Sequence, residues 1–122
     1  MRPSSINGMA LISMRESDLL KAIMLAAPKY HCTLLRNNVG CLKDITGRTV
    51  KFGLATGSSD LIGWTICNAA AVFTAVEVKK PGGKPTKEQQ AFIAAVQQAG
   101  GIACVAYCID DLKVAIEAWD GD

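Results

Sequence analysis

No apolar run in this chain is long enough to cross a bilayer, and its opening, MRPSSINGMALISM, has one arginine and too short an apolar patch for a secretory signal. A soluble protein of the cytoplasm, with no membrane contact, is therefore expected. Histidine is almost missing. His31 is the sole one, and the five cysteines include no CxxC pair, so no Cys/His zinc pattern can be assembled. The odd number of thiols suits a reducing compartment rather than a disulfide framework. His31 beside Cys32 hints at a ligand pair, but a strand edge is the simpler reading. There is also no internal repeat and no domain-scale linker. With 122 residues, 50% of them hydrophobic, residues 13–122 can form one domain with its own core, preceded by a polar, flexible lead-in over 1–12.

Neither sign of charge dominates, with 13 Lys and Arg against 11 Asp and Glu, but the distribution is uneven. Residues 109–122 hold five acids and only Lys113 as a base, which leaves twelve bases and six acids in residues 1–108. A basic body of this kind suits a polyanionic partner.

Ser13-Met14-Arg15-Glu16 has the form of a capping box. The helix it opens carries Leu19, Leu20, Ile23, Met24 and Ala27 on one stripe, with Glu16 on the same inward side, until Pro28 stops it. Residues 31–36 suit a strand, Asn37, Asn38 and Gly40 a turn, and 39–42 a second extended piece. Asp44-Ile45-Thr46-Gly47 is a hairpin turn from which 48–52 returns. Beyond a Gly- and Ser-rich loop, 61–66 and 72–79 read as strands separated by a turn at Cys67-Asn68-Ala69. Thr86-Lys87-Glu88-Gln89 is a second capping box, opening a helix that Gly100-Gly101 closes. Residues 102–108 form a continuous apolar run, expected as a central strand parallel to 72–79. Asp110 is expected to cap a last helix with Leu112, Ala115, Ile116 and Trp119 inward. The predicted fold class is α/β, a mixed central sheet flanked by helices.

One strand raises a problem. AVFTAVEVKK places Glu77 and Lys79 on the same face of an otherwise apolar strand, and Asp60 stands at the head of the strand before it. If those strands are neighbours, two carboxylates and an ammonium converge at the edge of the sheet. Carboxylates held together repel unless a cation lies between them. Oxygen ligands with room for water suit Mg²⁺, with Mn²⁺ as a substitute. Lys79 would orient an attacking water or balance charge on a phosphorus centre. Lys80, Lys84 and Lys87 extend the positive charge along a path a phosphate backbone could follow. The plain alternative is a solvated Glu–Lys pair at a strand end.

The order of motifs adds to this reading. A Glu early in the first helix, Arg36-Asn37-Asn38 followed by Gly40, GRTVKFG, GSSDLIG, EVK and then Thr86 with Gln89 resemble the virus-type replication–repair nuclease (VRR-NUC) family of the PD-(D/E)XK superfamily. The resemblance runs from Glu16 to about Ile116 and implies an αβββαβ(α) restriction-endonuclease-like core. It implies a metal-dependent endonuclease cutting phosphodiester bonds, with Asp60, Glu77, Lys79 and Glu16 catalytic, and Glu16, Asp60, Glu77 and the Val78 carbonyl as metal ligands. It places Arg36, Asn37, Asn38, Ser58, Ser59, Lys80, Lys84, Lys87 and Gln89 on the DNA side. Stand-alone relatives of this kind, common in bacteriophages, imply a homodimer nicking branched DNA as a Holliday junction resolvase does, with no organic cofactor. The alternatives are an inactive DNA-binding scaffold on the same fold, or a nuclease for flaps, other DNA or RNA. Gln89 also fits a helix cap, Glu16 a partner for Ser13, and the two asparagines a turn.

Overall fold

The computed structural model describes residues 14–121. Helix α1 (Glu16–Ala26) leads through a 3₁₀ turn (Ala27–Tyr30) into strand β1 (Cys32–Arg36). Strands β2 (Gly40–Lys43) and β3 (Thr49–Phe52) form a separate hairpin. Strands β4 (Leu61–Cys67) and β5 (Ala70–Val78), helix α2 (Lys87–Gln98), strand β6 (Ile102–Ala106) and helix α3 (Ile109–Ala118) complete the chain. The main sheet has the order β1-β4-β5-β6, antiparallel except for β5 and β6, which run parallel across the α2 crossover. With the hairpin set aside, the order is α-β-β-β-α-β-α, the mixed α/β core expected.

The two faces of the sheet follow from residue alternation. Leu34, Leu61, Val76, Val78 and Ala106 point to one side, where Leu19, Leu20 and Ile23 of α1 and Leu112 of α3 cover them. Ala75 and Ala103 point to the other, under Ile93 and Val96 of α2. Helix α2 covers only part of that second face, and Leu35, Trp64, Ile66 and Phe73 stay exposed there. Strand β1 can approach β4 closely because position 63 has no side chain. A Cβ on Gly63 would stand 1.8 Å from the Thr33 carbonyl oxygen. Asn68 and Ala69 make the β4–β5 turn, both with positive φ (51° and 64°).

The second capping box forms as expected. Thr86 Oγ1 accepts from the Gln89 amide at 3.1 Å, and Gln89 Oε1 accepts from the Thr86 amide at 2.8 Å. Gly100, at φ 96°, ends α2, with Gly101 N–H donating to the Val96 carbonyl at 2.8 Å. Two other caps differ from expectation. Helix α1 begins after Arg15, which makes no side-chain cap bond; Ser13, like the lead-in over 1–12 and the final Asp122, lies outside the described residues. Helix α3 begins after Cys108 rather than Asp110, and it is the Asp111 carboxylate that accepts from the Tyr107 amide at 2.7 Å. Strand β6 accordingly stops at Ala106, short of the expected Cys108. Among the described residues, no helix is long and apolar enough to cross a membrane.

Candidate active site

The pairing of Leu61 with Val76 in the β4–β5 ladder carries Asp60, one residue earlier, to the level of Glu77. The Asp60 carboxylate is then anchored from the strand it faces. Its Oδ2 accepts from the Val78 amide at 2.9 Å, and its own carbonyl accepts from the Asn37 amide at 2.7 Å. Glu77 is 2% exposed, and its Oε1 has no hydrogen-bond partner among the described residues. Its Oε2 lies 3.7 Å from Lys79 Nζ. Lys79 follows the last residue of β5, where its amide donates to the Ala106 carbonyl at 3.0 Å and so fixes it to β6. The three expected residues thus meet, and β5 with its two neighbours positions all of them.

Their electrostatics are strained. Burial pushes the Glu77 carboxyl up to about 8, the nearby Asp60 charge and a proton held between the two acids push the same way, Lys79 opposes, and Glu16 adds to the rise. A buried acid with an unpartnered oxygen beside a second carboxylate is costly unless something positive replaces the proton. All the donors are oxygens, the chemistry that Mg²⁺ and Mn²⁺ accept. The pair therefore fits a hard divalent cation. Among the described residues, no group of three or more His, Cys, Asp or Glu is gathered to hold a metal, so Glu16 does not join Asp60 and Glu77 in one ligand set here. Instead the exposed Glu16, first residue of α1, accepts from the Lys80 amide at 3.2 Å and brings its charge within reach of Glu77. That contact ties the start of α1 to the residue just beyond β5 and Lys79, 64 positions away in sequence.

The loop before Asp60 is held by one side chain. Asn37 Nδ2 donates to Ser58 Oγ at 2.8 Å and to the Ser59 carbonyl at 2.9 Å, while its Oδ1 accepts from the Leu54 amide at 3.4 Å. Asn37, expected on the DNA side, is occupied within the protein as a clasp on the segment that presents Asp60. Ser58 and Ser59 are buried, and Ser59 Oγ has no partner among the described residues. Arg36 and Asn38 are exposed at either side of the clasp.

Lys80, Lys84 and Lys87 are exposed along the loop and first turn of α2. Gln89 has its carbonyl oxygen committed to the cap of α2. Tyr107 was not expected to serve the site, yet its hydroxyl donates to the Gly83 carbonyl at 2.9 Å and braces the loop that carries Lys80 and Lys84. A tyrosine ending an apolar strand is the only sequence signal for it, and that signal does not name its partner. His31 and Cys32 form no pair. His31 is exposed with φ 59°, whereas Cys32 is buried and burial raises its thiol pKa. All five cysteines are free.

The chain was compared with known proteins. A search of the curated proteins finds no match. A family model described as the VRR-NUC domain matches residues 6–109, a span that includes Glu16, the Asn37 clasp, Asp60, Glu77 and Lys79.

Proposed function

The chain belongs to the VRR-NUC family, and from that premise we propose that it is a divalent-metal-dependent DNA endonuclease worked by Asp60, Glu77, Lys79 and Glu16. VRR-NUC domains are nucleases of the PD-(D/E)XK type, which act on DNA and typically use divalent metals. The observation that carries the site assignment is the buried Glu77, with one oxygen unpartnered, beside Asp60 and Lys79.

In this reading Asp60, Glu77 and the Val78 carbonyl would hold Mg²⁺ or Mn²⁺, with Glu16 adding its negative charge from the start of α1. The cation, when bound, neutralises the charge that builds on the phosphate oxygens. Lys79 adds a positive charge on the same side and orients the water that attacks phosphorus as one P–O ester bond breaks. Lys80, Lys84 and Lys87 draw the backbone across the site, with Arg36, Asn38, Ser58, Ser59 and the Gln89 amide nitrogen at its margins. Asn37 acts on DNA indirectly, by holding the segment that presents Asp60.

Residues 13–122 serve as the nuclease unit. A domain of this size has little surface for reading bases, which favours branched DNA, and a four-way junction in particular, over a defined sequence. A homodimer would place two sites for symmetric nicking, and the exposed Trp64 and Phe73 on the half-covered sheet face support one. The setting is the reducing cytoplasm of a bacterium or a phage-infected host. The test is incubation of the purified protein with labelled junction, flap and duplex DNA with and without Mg²⁺. Metal-dependent cutting that Glu77→Ala abolishes is expected; cutting of none of these substrates, or an unaffected variant, overturns the proposal.

A further inference from the structure

The β2–β3 hairpin has no part in the chemistry above, and its construction calls for a partner. It is exposed from Cys41 to Phe52, belongs to no larger sheet, and still sorts its residues by face. Cys41 pairs with Lys51 and Lys43 with Thr49, so Lys43, Lys51, Cys41 and Thr49 share one side. Leu42, Val50 and Phe52 take the other. Arg48 sits at the turn. The one acid, Asp44, is occupied internally, its Oδ1 accepting from Thr46 N, Thr46 Oγ1 and Arg48 N at 2.9, 2.6 and 2.9 Å. Among the described residues, the ion pairs are Arg15–Asp18 and Lys79–Glu77, so Lys43, Arg48 and Lys51 have no anionic partner.

The hairpin also has a fixed root. It leaves the fold just after Asn37 and rejoins it at Gly53 and Leu54, and the Asn37 side chain binds Leu54, Ser58 and Ser59. A Cβ on Gly53 would stand 2.1 Å from the Asn38 carbonyl oxygen, so the two legs cross in close contact. The same clasp that sets Asp60 therefore sets the root of a cationic ribbon. A two-stranded ribbon has the width to enter the major groove of duplex DNA or to lie along its backbone.

We infer that the β2–β3 hairpin is a nucleic-acid-binding arm, whose Lys43, Lys51 and Arg48 grip the phosphates of a duplex segment flanking the cut. The inference rests on DNA being the substrate, but it assigns work to residues outside the catalytic set. Charge complementarity and continuity with the site favour DNA; a protein partner would instead use the Leu42–Val50–Phe52 side.

The experiment measures duplex binding in EDTA across a salt series for the wild type, for Lys43→Ser/Arg48→Ser/Lys51→Ser, and for the equal-charge control Lys21→Ser/Lys29→Ser/Lys113→Ser on other surfaces. Each lost phosphate contact lowers the log–log salt slope by about 0.9. The arm variant should lose about 2 to 3 in slope and the control less than about 1. Any other pattern, including equal losses, overturns the arm. A second readout needs no variant. Cys41 is an exposed thiol on the lysine side, and Cys67 lies at the opposite end of β4, about 20 Å along the strand from Asp60. With duplex at ten times its Kd, alkylation of Cys41 should slow about tenfold while that of Cys67 is unchanged. An unprotected Cys41 overturns the arm and leaves the apolar side as the ribbon's working face. The two proposals fail separately. Wild type that cuts DNA with Cys41 unprotected defeats the arm alone, whereas wild type that protects Cys41 but cuts nothing defeats the nuclease alone.

Discussion

Strands β4 and β5 bury polar side chains at two levels, and they treat the two differently. In the middle of the ladder, Thr65 and Thr74 are buried and their hydroxyls meet at 2.6 Å, with Thr74 donating on to the Val72 carbonyl at 3.0 Å. At the other end, Glu77 and Ser59, just before β4, are as deeply buried, yet among the described residues Glu77 Oε1 and Ser59 Oγ find no partner. The first level obeys the rule that buried polar groups are satisfied. The second breaks it with a buried acid set beside another acid. Within one pair of strands the chain shows that it can solve the problem, and the unsolved pair at the rim is what the proposed metal site rests on.

The largest effect that would test this contrast is on cleavage. Asp60→Ala and Glu77→Ala should each lower metal-dependent single-turnover cutting by about 10³-fold or more, and Lys79→Ala by about 10²- to 10³-fold. Thr65→Val/Thr74→Val should leave the rate unchanged. A rate loss in the threonine pair would erase the distinction.

Next comes Asn37, which touches the site only through the loop. Asn37→Ala should cost about 10- to 100-fold in activity or metal affinity, in the manner of groups that hold a ligand in place. The salt dependence of DNA binding should stay at its wild-type slope, because Asn37 makes no phosphate contact in this account.

Stability against pH separates the two levels further. With its pKa raised to about 8, Glu77 keeps in the native state a proton that the unfolded chain releases near its ordinary 4.5. The native state thus binds more protons within that window. Metal-free stability should fall as pH rises from about 4.5 to about 8 and then level off, by on the order of a few kcal/mol. Melting curves should show the decline flattened in Glu77→Gln. The Mg²⁺-induced rise in Tm should grow over the same window, since the cation displaces the proton.

The threonine level gives smaller changes. Thr74→Val removes the hydroxyl that Thr65 meets and should destabilise by about 1 to 3 kcal/mol, whereas the double valine is closer to neutral. Smallest of all, Ala69 holds φ 64° in a turn where glycine is at ease. Ala69→Gly should gain about 1 kcal/mol, a few degrees in Tm, without touching catalysis.

What the sequence disclosed tracks the range of the interactions involved. Thr86 with Gln89 was legible because both partners of the cap lie within one turn. Asp60, Glu77 and Lys79 were legible because strand alternation and a two-residue turn between β4 and β5 leave little freedom in where they meet. Glu16 left two readings open, a cap with the nearby Ser13 or a place at the site, because Lys80, whose amide it binds, is 64 residues away. The partners of Asn37 were hidden for a similar reason: its side chain answers to Leu54, Ser58 and Ser59, across a hairpin whose length conceals the contact. The separation of β2 and β3 from the main sheet was equally hidden. Four-residue strands carry too short a pattern to say which sheet they join.

The way β5 is flanked has a consequence for the order of assembly. Its antiparallel neighbour arrives through a local two-residue reversal, so the acids at 60 and 77 can come together early, on the microsecond scale of hairpin closure. Its parallel neighbour arrives only after the α2 crossover has been laid down, a slower event because a longer loop must close. The Lys79 amide waits for the carbonyl of Ala106. On the ribosome, the two acids would therefore be in place while the lysine is still loose, so the proposed cation site would form before the proposed catalytic lysine is set.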